Sequence, residues 1–193
     1  MIESALERFP CDVESSDGFR CTLRTLQSND EEQFREFFLA IPEDERLFLK
    51  HRVTERAVFH QWCQEIDCES NLSLLGCAEN RIIADGTLHQ RQGGWKRHIG
   101  LVSALVHPAY RGHGLVSILT KELIEIGTHC GLARLEAEFS GDRSSDIRAF
   151  TDAGFRELVR LPRYVRDIHG RPHDYVLLGL NLIPDEDLVA AAD

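Results

Sequence analysis

The segment HPAYRGHGLV, residues 107–116, sets an arginine and two glycines between a proline and an apolar run. Pro108 cannot continue a sheet ladder, so the strand-like stretch before it ends at Val106. A helix starting near Gly114 leaves its first N–H groups without partners, at the positive end of the helix dipole. Gly112 and Gly114 keep side chains away from those donors and accept positive φ, and Arg111 adds a fixed charge. Such a turn suits a phosphate or pyrophosphate. The same residues also suit a plain strand-to-helix connection with a surface arginine, and the turn alone does not decide between the two.

The elements that must hold this turn follow from periodicity. Residues 1–10 suit a short helix, and 17–26 a turn followed by an alternating strand. Ser28 and Glu31 stand at capping-box spacing, ahead of the stripe Phe34, Phe37, Phe38 and Ile41 that stops before Pro42. A second helical region spans 43–66, broken near Val53–Thr54. Strands at 72–78 and 81–89 are joined by a tight turn at Glu79–Asn80, and 95–106 reads as a long strand. Leu115, Ile118, Leu119, Leu123 and Ile126 trace one helical face that ends at Gly127 or Gly131. A strand in ARLEAEFS, a helix over 146–153 closed by Gly154, and strands at 155–166 and 174–182 complete the chain. Mixed strands and helices, with a helical crossover after the fourth strand, imply an α+β fold with a partly parallel centre.

The 193 residues suit a single domain over 1–193, with an N-terminal extension (1–16), a core (17–182) and a C-terminal tail (183–193). The net charge of −10 argues against nucleic acid or an anionic membrane as partner. No apolar run approaches a bilayer span, and the acidic start MIESALERFP lacks the order of a signal peptide, so a cytoplasmic location is expected. The six cysteines form no CxxC pair and the nine histidines no HExxH motif, so reduced thiols and no metal are expected.

The order of elements together with Val106-His107-Pro108 and Arg111-Gly112-His113-Gly114-Leu115-Val116 resembles the GNAT superfamily of acyl-CoA-dependent N-acyltransferases. Its signature is a Q/R-x-x-G-x-G/A loop between the fourth strand and the third helix. AFTDAGF (149–155) and PRYVRDIHGRPHDYVLLGL (162–180) extend the likeness over about residues 17–182. Within the superfamily the chain looks most like the acetyltransferase domain of bacterial protein-lysine acetyltransferases. The resemblance implies a seven-stranded, partly parallel mixed sheet with helices on both faces, splayed between strands four and five. It also implies acetyl-CoA as donor. The backbone from Arg111 through Gly112, His113, Gly114 and Leu115 to Val116 would hold its pyrophosphate. The pantetheine arm would lie beside Leu105 and Val106, with the thioester carbonyl meeting a backbone N–H near Val106.

Three positions depart from the family pattern. Val116 stands where a Gly or Ala usually lets the backbone approach the phosphate, which predicts weaker cofactor binding. Leu101 stands where related strands often carry a carboxylate. Phe150, kept here as a cofactor-contacting position, replaces the tyrosine that often protonates the leaving thiolate. Glu136 and Glu138 share one face of the fifth strand, and Glu138 is the preferred base; His98 is a second candidate, and a solvated strand face explains the glutamates equally well. Tyr164 is the candidate acid; Asp174, Tyr175 and Ser103 are candidates for lesser roles.

The expected function is acetyl transfer from acetyl-CoA to a primary amine, of a protein lysine or a small molecule, by direct attack in a ternary complex. The alternative is an acyl-CoA-binding regulatory or sensor module with weakened catalysis. A homodimer is left open.

Overall fold

The computed structural model describes residues 2–46, 55–167 and 169–183. The breakpoint expected near Val53–Thr54 and nearly all of the expected tail over 183–193 lie outside the described residues. In chain order the elements are α1 (Ile2–Leu6), β1 (Cys11–Glu14), β2 (Arg20–Thr25), α2 (Glu31–Ala40), α3 (Glu43–Arg46), α4 (Arg56–Gln64), β3 (Asn71–Ala78), β4 (Arg81–His89), β5 (Ile99–Val106), α5 (Leu115–His129), β6 (Arg134–Ser140), α6 (Ser144–Asp152), β7 (Arg156–Arg166) and β8 (Pro172–Asn181).

The strands form one sheet in the order β1-β2-β3-β4-β5-β6-β8-β7, antiparallel except for the β5–β6 pair. There are eight strands rather than the seven expected. The additional one, β1, comes from the stretch read as an extension, because the turn between Ser15 and Phe19 folds Cys11–Glu14 back onto β2. The strands expected fourth and fifth are therefore β5 and β6.

Helix α5 exists because its apolar positions fall on one stripe. Leu115, Leu119, Leu123 and Ile126 are all buried against the sheet, each stabilising by about 1.5–3 kcal/mol. Gly100 on β5 makes room for this layer: a Cβ there would stand 2.7 Å from Leu132 and 2.8 Å from Leu88. The opposite face of β2–β4 is covered by α2 and α4 through Phe34, Phe37, Phe38 and Phe59. The same face of β6, β8 and β7 carries no helix among the described residues, and β7 is exposed along most of its length.

Two local expectations change. The capping interaction sits one residue earlier than expected: the Gln27 N–H donates to the Asp30 carboxylate at 2.8 Å, and Arg24 donates to both Asp30 oxygens at 2.6 and 2.7 Å. The strand expected from residue 95 begins only at Ile99, since turn bonds from Arg97 to Gly94 and from Ile99 to Lys96 consume the intervening backbone.

Candidate active site

Strand β5 is the backbone of the site. It pairs with β6 only over Ile99–Arg134, Gly100–Leu135 and Leu101–Glu136. Beyond that rung both strands run on, β5 to Val106 and β6 to Ser140, without further pairing to each other. The parallel ladder is thus open over the second half of β5.

The opening leads to the start of α5. Gly114 is the N-cap, with φ +69°, and Gly112 has φ +90°. Both conformations strain an L-residue, and the space a Cβ would occupy at either glycine is empty. No side chain caps α5, so the N–H groups that open the helix face outward together, at the positive end of its dipole. A cavity of about 900 Å³ adjoins them, lined among others by Ala104, Val106, Gly112, Gly114, Val116 and Ser117.

Charged side chains ring this cavity. Arg111 donates to both oxygens of Glu45 at 2.8 and 2.9 Å, and its Nε reaches the Val106 carbonyl at 3.3 Å. Arg143, from the loop after β6, grips the same Glu45 carboxylate and also donates from Nε to Asp146 at 2.7 Å. On the far rim His173 lies between Asp142, at 2.5 Å, and the buried Asp167, at 3.4 Å. The bond to Asp142, helped by Asp167, raises the His173 pKa above the usual imidazole range.

The model of the acetyltransferase (GNAT) family matches residues 24–155. The chain belongs to the GNAT family. Among curated proteins no GNAT enzyme or other protein matches it in sequence. Solved structures share the fold. Salmonella typhimurium yncA with its cofactor acetyl-CoA superposes with a TM-score of 0.73 at 20% identity, over 84% of this chain and 94% of that one. The GNAT domain of S. lividans PAT gives 0.72 at 21%, over 89% and 96%. Mycobacterium smegmatis RimJ in complex with CoA-disulfide gives 0.72 at 19%, over 95% and 96%.

Against this GNAT frame the anticipated residues divide. Val106, Arg111, Gly112, Gly114, Leu115 and Val116 all line the cavity. His113 does not: its ring stacks on Phe19 at 4.4 Å and its Nδ1 meets Asp17 at 2.6 Å, so the β1–β2 hairpin braces the loop from outside. Leu105 points through the sheet to the aromatic layer under α2 and α4. Phe150 is fully buried between Phe139 and Phe155, a core residue outside the cavity lining. His98 is exposed before β5, at the opposite end of the strand from the motif.

Glu138 and Tyr164 lie on the other face of the sheet. Leu135 and Ala137 of β6 are buried beneath the helices, which turns Glu136 and Glu138 away from them. The Tyr175 hydroxyl donates to Glu138, and burial followed by that carboxylate pushes the tyrosine up to about 12. Tyr164 packs beside Tyr175 with ring centroids 5.8 Å apart. Tyr175 therefore joins the two residues anticipated as base and acid.

Sequence reasoning missed Glu45, Arg143 and His173. Arg143 opens α6 within SGDRSSD, a helix-start composition that signals an anion site only weakly. Glu45 and His173 carry no local signal, since their partners are distant in sequence.

Proposed function

We propose that this chain transfers an acetyl group from acetyl-CoA to a primary amine, of a protein lysine or a small molecule, by direct attack in a ternary complex. The observation that carries the reading is the ladder that stops at Leu101–Glu136, with the uncapped start of α5 at the end of the gap. The residues present fit the donor. The pyrophosphate sits on the N–H groups between Gly112 and Ser117, and Arg111 and Arg143 balance its charge. The pantetheine arm continues the sheet beside Ala104–Val106, where β5 lacks a partner, and a backbone N–H near Val106 polarises the thioester carbonyl. Phe150 contributes packing behind this pocket rather than contact with the donor.

The acceptor enters from the opposite face, where Glu138 meets its ammonium and begins its deprotonation, directly or through water. Tyr175 orients that carboxylate. Its own proton is held too tightly to pass readily to a thiolate whose thiol titrates near about 8.5. The exposed Tyr164 is the donor better placed for that step. The acidic balance of the chain favours a cationic acceptor.

A second reading, a module that holds acyl-CoA without turnover, is favoured by Phe150, buried where a proton-donating tyrosine is usual. One experiment separates the two. Acetyl-CoA should raise the melting temperature under either reading. Free CoA thiol should appear with an amine panel, and more slowly in Glu138→Gln, only if the chain is an enzyme. Stabilisation without thiol release across the panel would establish the module.

A further inference from the structure

On the acceptor face one carboxyl has no place in the account above. Asp85 of β4 is 3% exposed, and its Oδ1 has no hydrogen-bond partner. Its Cα partner across the ladder is Leu105 of β5, one residue before Val106, so both side chains rise on the same face. Two rungs further along, on the same face, Thr87 of β4 and Ser103 of β5 bring their hydroxyl oxygens to 2.5 Å. Ser103 is exposed and lies two residues beyond Leu101, the last β5 residue paired with β6, so it borders the opening on the face that carries Glu138. The polar side chains thus run inward from the opening: Ser103, Thr87, then Asp85.

We propose that Asp85 is the terminal acceptor for the proton that the acceptor ammonium must shed, reached through the Ser103–Thr87 hydroxyl pair. The proposal rests on the acetyl-transfer reading and names the proton's destination within it. Ser73 of β3 is the cross-strand partner of Thr87 and its hydroxyl donates to Asp85, which links the hydroxyl pair to the carboxyl. Glu138 draws the ammonium proton and hands it to Ser103 as the Ser103 proton moves to Thr87, the Thr87 proton to Ser73 and the Ser73 proton to Asp85. The neutral amine then forms the C–N bond, the C–S bond breaks, Tyr164 protonates the departing thiolate, and the second nitrogen proton restores the Tyr164 hydroxyl through solvent. Asp85 returns its proton to solvent by the same route.

Burial sets Asp85 up for this exchange. Dehydration pushes its carboxyl up to about 7, opposed only by the Ser73 hydroxyl. The charged groups of α2 (Glu31, Glu32, Arg35 and Glu36) and the Cys77 thiol of β3 have no appreciable part in the shift, β5 brings no ionisable side chain, and α5 lies on the far face. A carboxyl poised near neutrality accepts a proton and gives it up again with little penalty.

The test is the pH profile of kcat/KM for thiol release. It uses the full chain, acetyl-CoA and two probes, butylamine and Nα-acetyl-lysine methylamide, from pH 5.5 to 9. The wild type should rise tenfold per pH unit to about 7 and then level off, because it binds the ammonium form and Asp85 takes the proton. Asp85→Asn must wait for free amine, whose pKa lies near about 10.4. Its profile should keep rising through pH 9 with no plateau, and at pH 7 it should be about a hundredfold slower. Ser103→Ala, at an exposed site that leaves the core intact, should show the same loss of plateau. Glu138→Gln should lower the whole profile and keep its shape. A plateau retained in both Asp85→Asn and Ser103→Ala overturns this proposal alone. Absence of thiol release from the wild type at every pH overturns the transfer reading and this proposal with it.

Discussion

Arg111 and Glu45 meet through two parallel hydrogen bonds, of 2.8 and 2.9 Å, at the mouth of the cavity beside α5. Arg143 closes on the same carboxylate from the loop after β6. One protein carboxylate thus occupies the two guanidinium groups best placed to receive a phosphate.

Replacing Glu45 by Gln should therefore tighten CoA binding. A unit charge near 5 Å is worth roughly 3 kcal/mol at an effective dielectric of 20, and exposure of Arg111 brings this to about 1 kcal/mol, a fivefold fall in Kd. Calorimetric titration with CoA measures it. A Kd that rises instead would mean that Glu45 orients the two arginines rather than competing with the ligand.

Val116 lines the cavity and also packs in part against the core beneath α5. Val116→Ala opens the approach to the helix N–H groups at the expense of about 1 kcal/mol of packing. CoA should bind a few-fold more tightly while the melting temperature without ligand falls by roughly 2–4 °C. Unchanged affinity would show that the valine turns wholly into the core and leaves the pocket unaltered.

Much of this site is local in sequence, which is why it was legible. Pro108, Gly112, Gly114 and the α5 stripe each act within a few residues of themselves, so the strand end, the turn and the helix start follow from them. Strand alternation likewise placed Glu136 and Glu138 on one face. Contacts that close over long sequence separations were not legible: Glu45 with Arg111, His173 with Asp142, and the short β1 strand, whose role depends on pairing with β2. The burial of Phe150 is not legible from its family position, because three phenylalanine rings from separate elements fill the space around it. Asp85 is a lone carboxylate in the apolar run RIIADGTLH and is not among the anticipated residues, because only the sheet register places it beside Leu105.

Tyr175 donates to Glu138 and is packed against Tyr164, so under the proposed transfer its hydroxyl is a positioning group for the carboxylate. Tyr175→Phe keeps the ring packing and removes the donor. The acceptor kcat/KM should fall about tenfold, consistent with one hydrogen bond to a charged group, while the Kd for CoA stays unchanged because that site lies on the other face. A parallel loss of CoA affinity would show that the substitution disturbs the sheet and not the carboxylate alone.

Asp85 also makes stability depend on pH, in a direction its raised pKa fixes. The unfolded chain releases the Asp85 proton near about 3.9, whereas the folded chain keeps it until about 7. Between those values only the folded state holds that proton, so its stabilising effect is complete below the unfolded pKa and is lost as pH rises through the folded one. His173, also raised, acts in the same direction. The lowered carboxylates Asp17, Asp67 and Asp142 act in the opposite direction, as acid is added towards their unfolded pKa values. Comparison with Asp85→Asn isolates the one group. From pH 5 to 8 the wild type should lose about 2–3 kcal/mol more than the variant, or roughly 5–10 °C in melting temperature, so that Asp85→Asn becomes the more stable protein above neutrality. Differential scanning calorimetry across that range checks it. If the two melting curves move in parallel, the Asp85 carboxyl titrates near its ordinary value and cannot be the neutral-pH proton acceptor on this face.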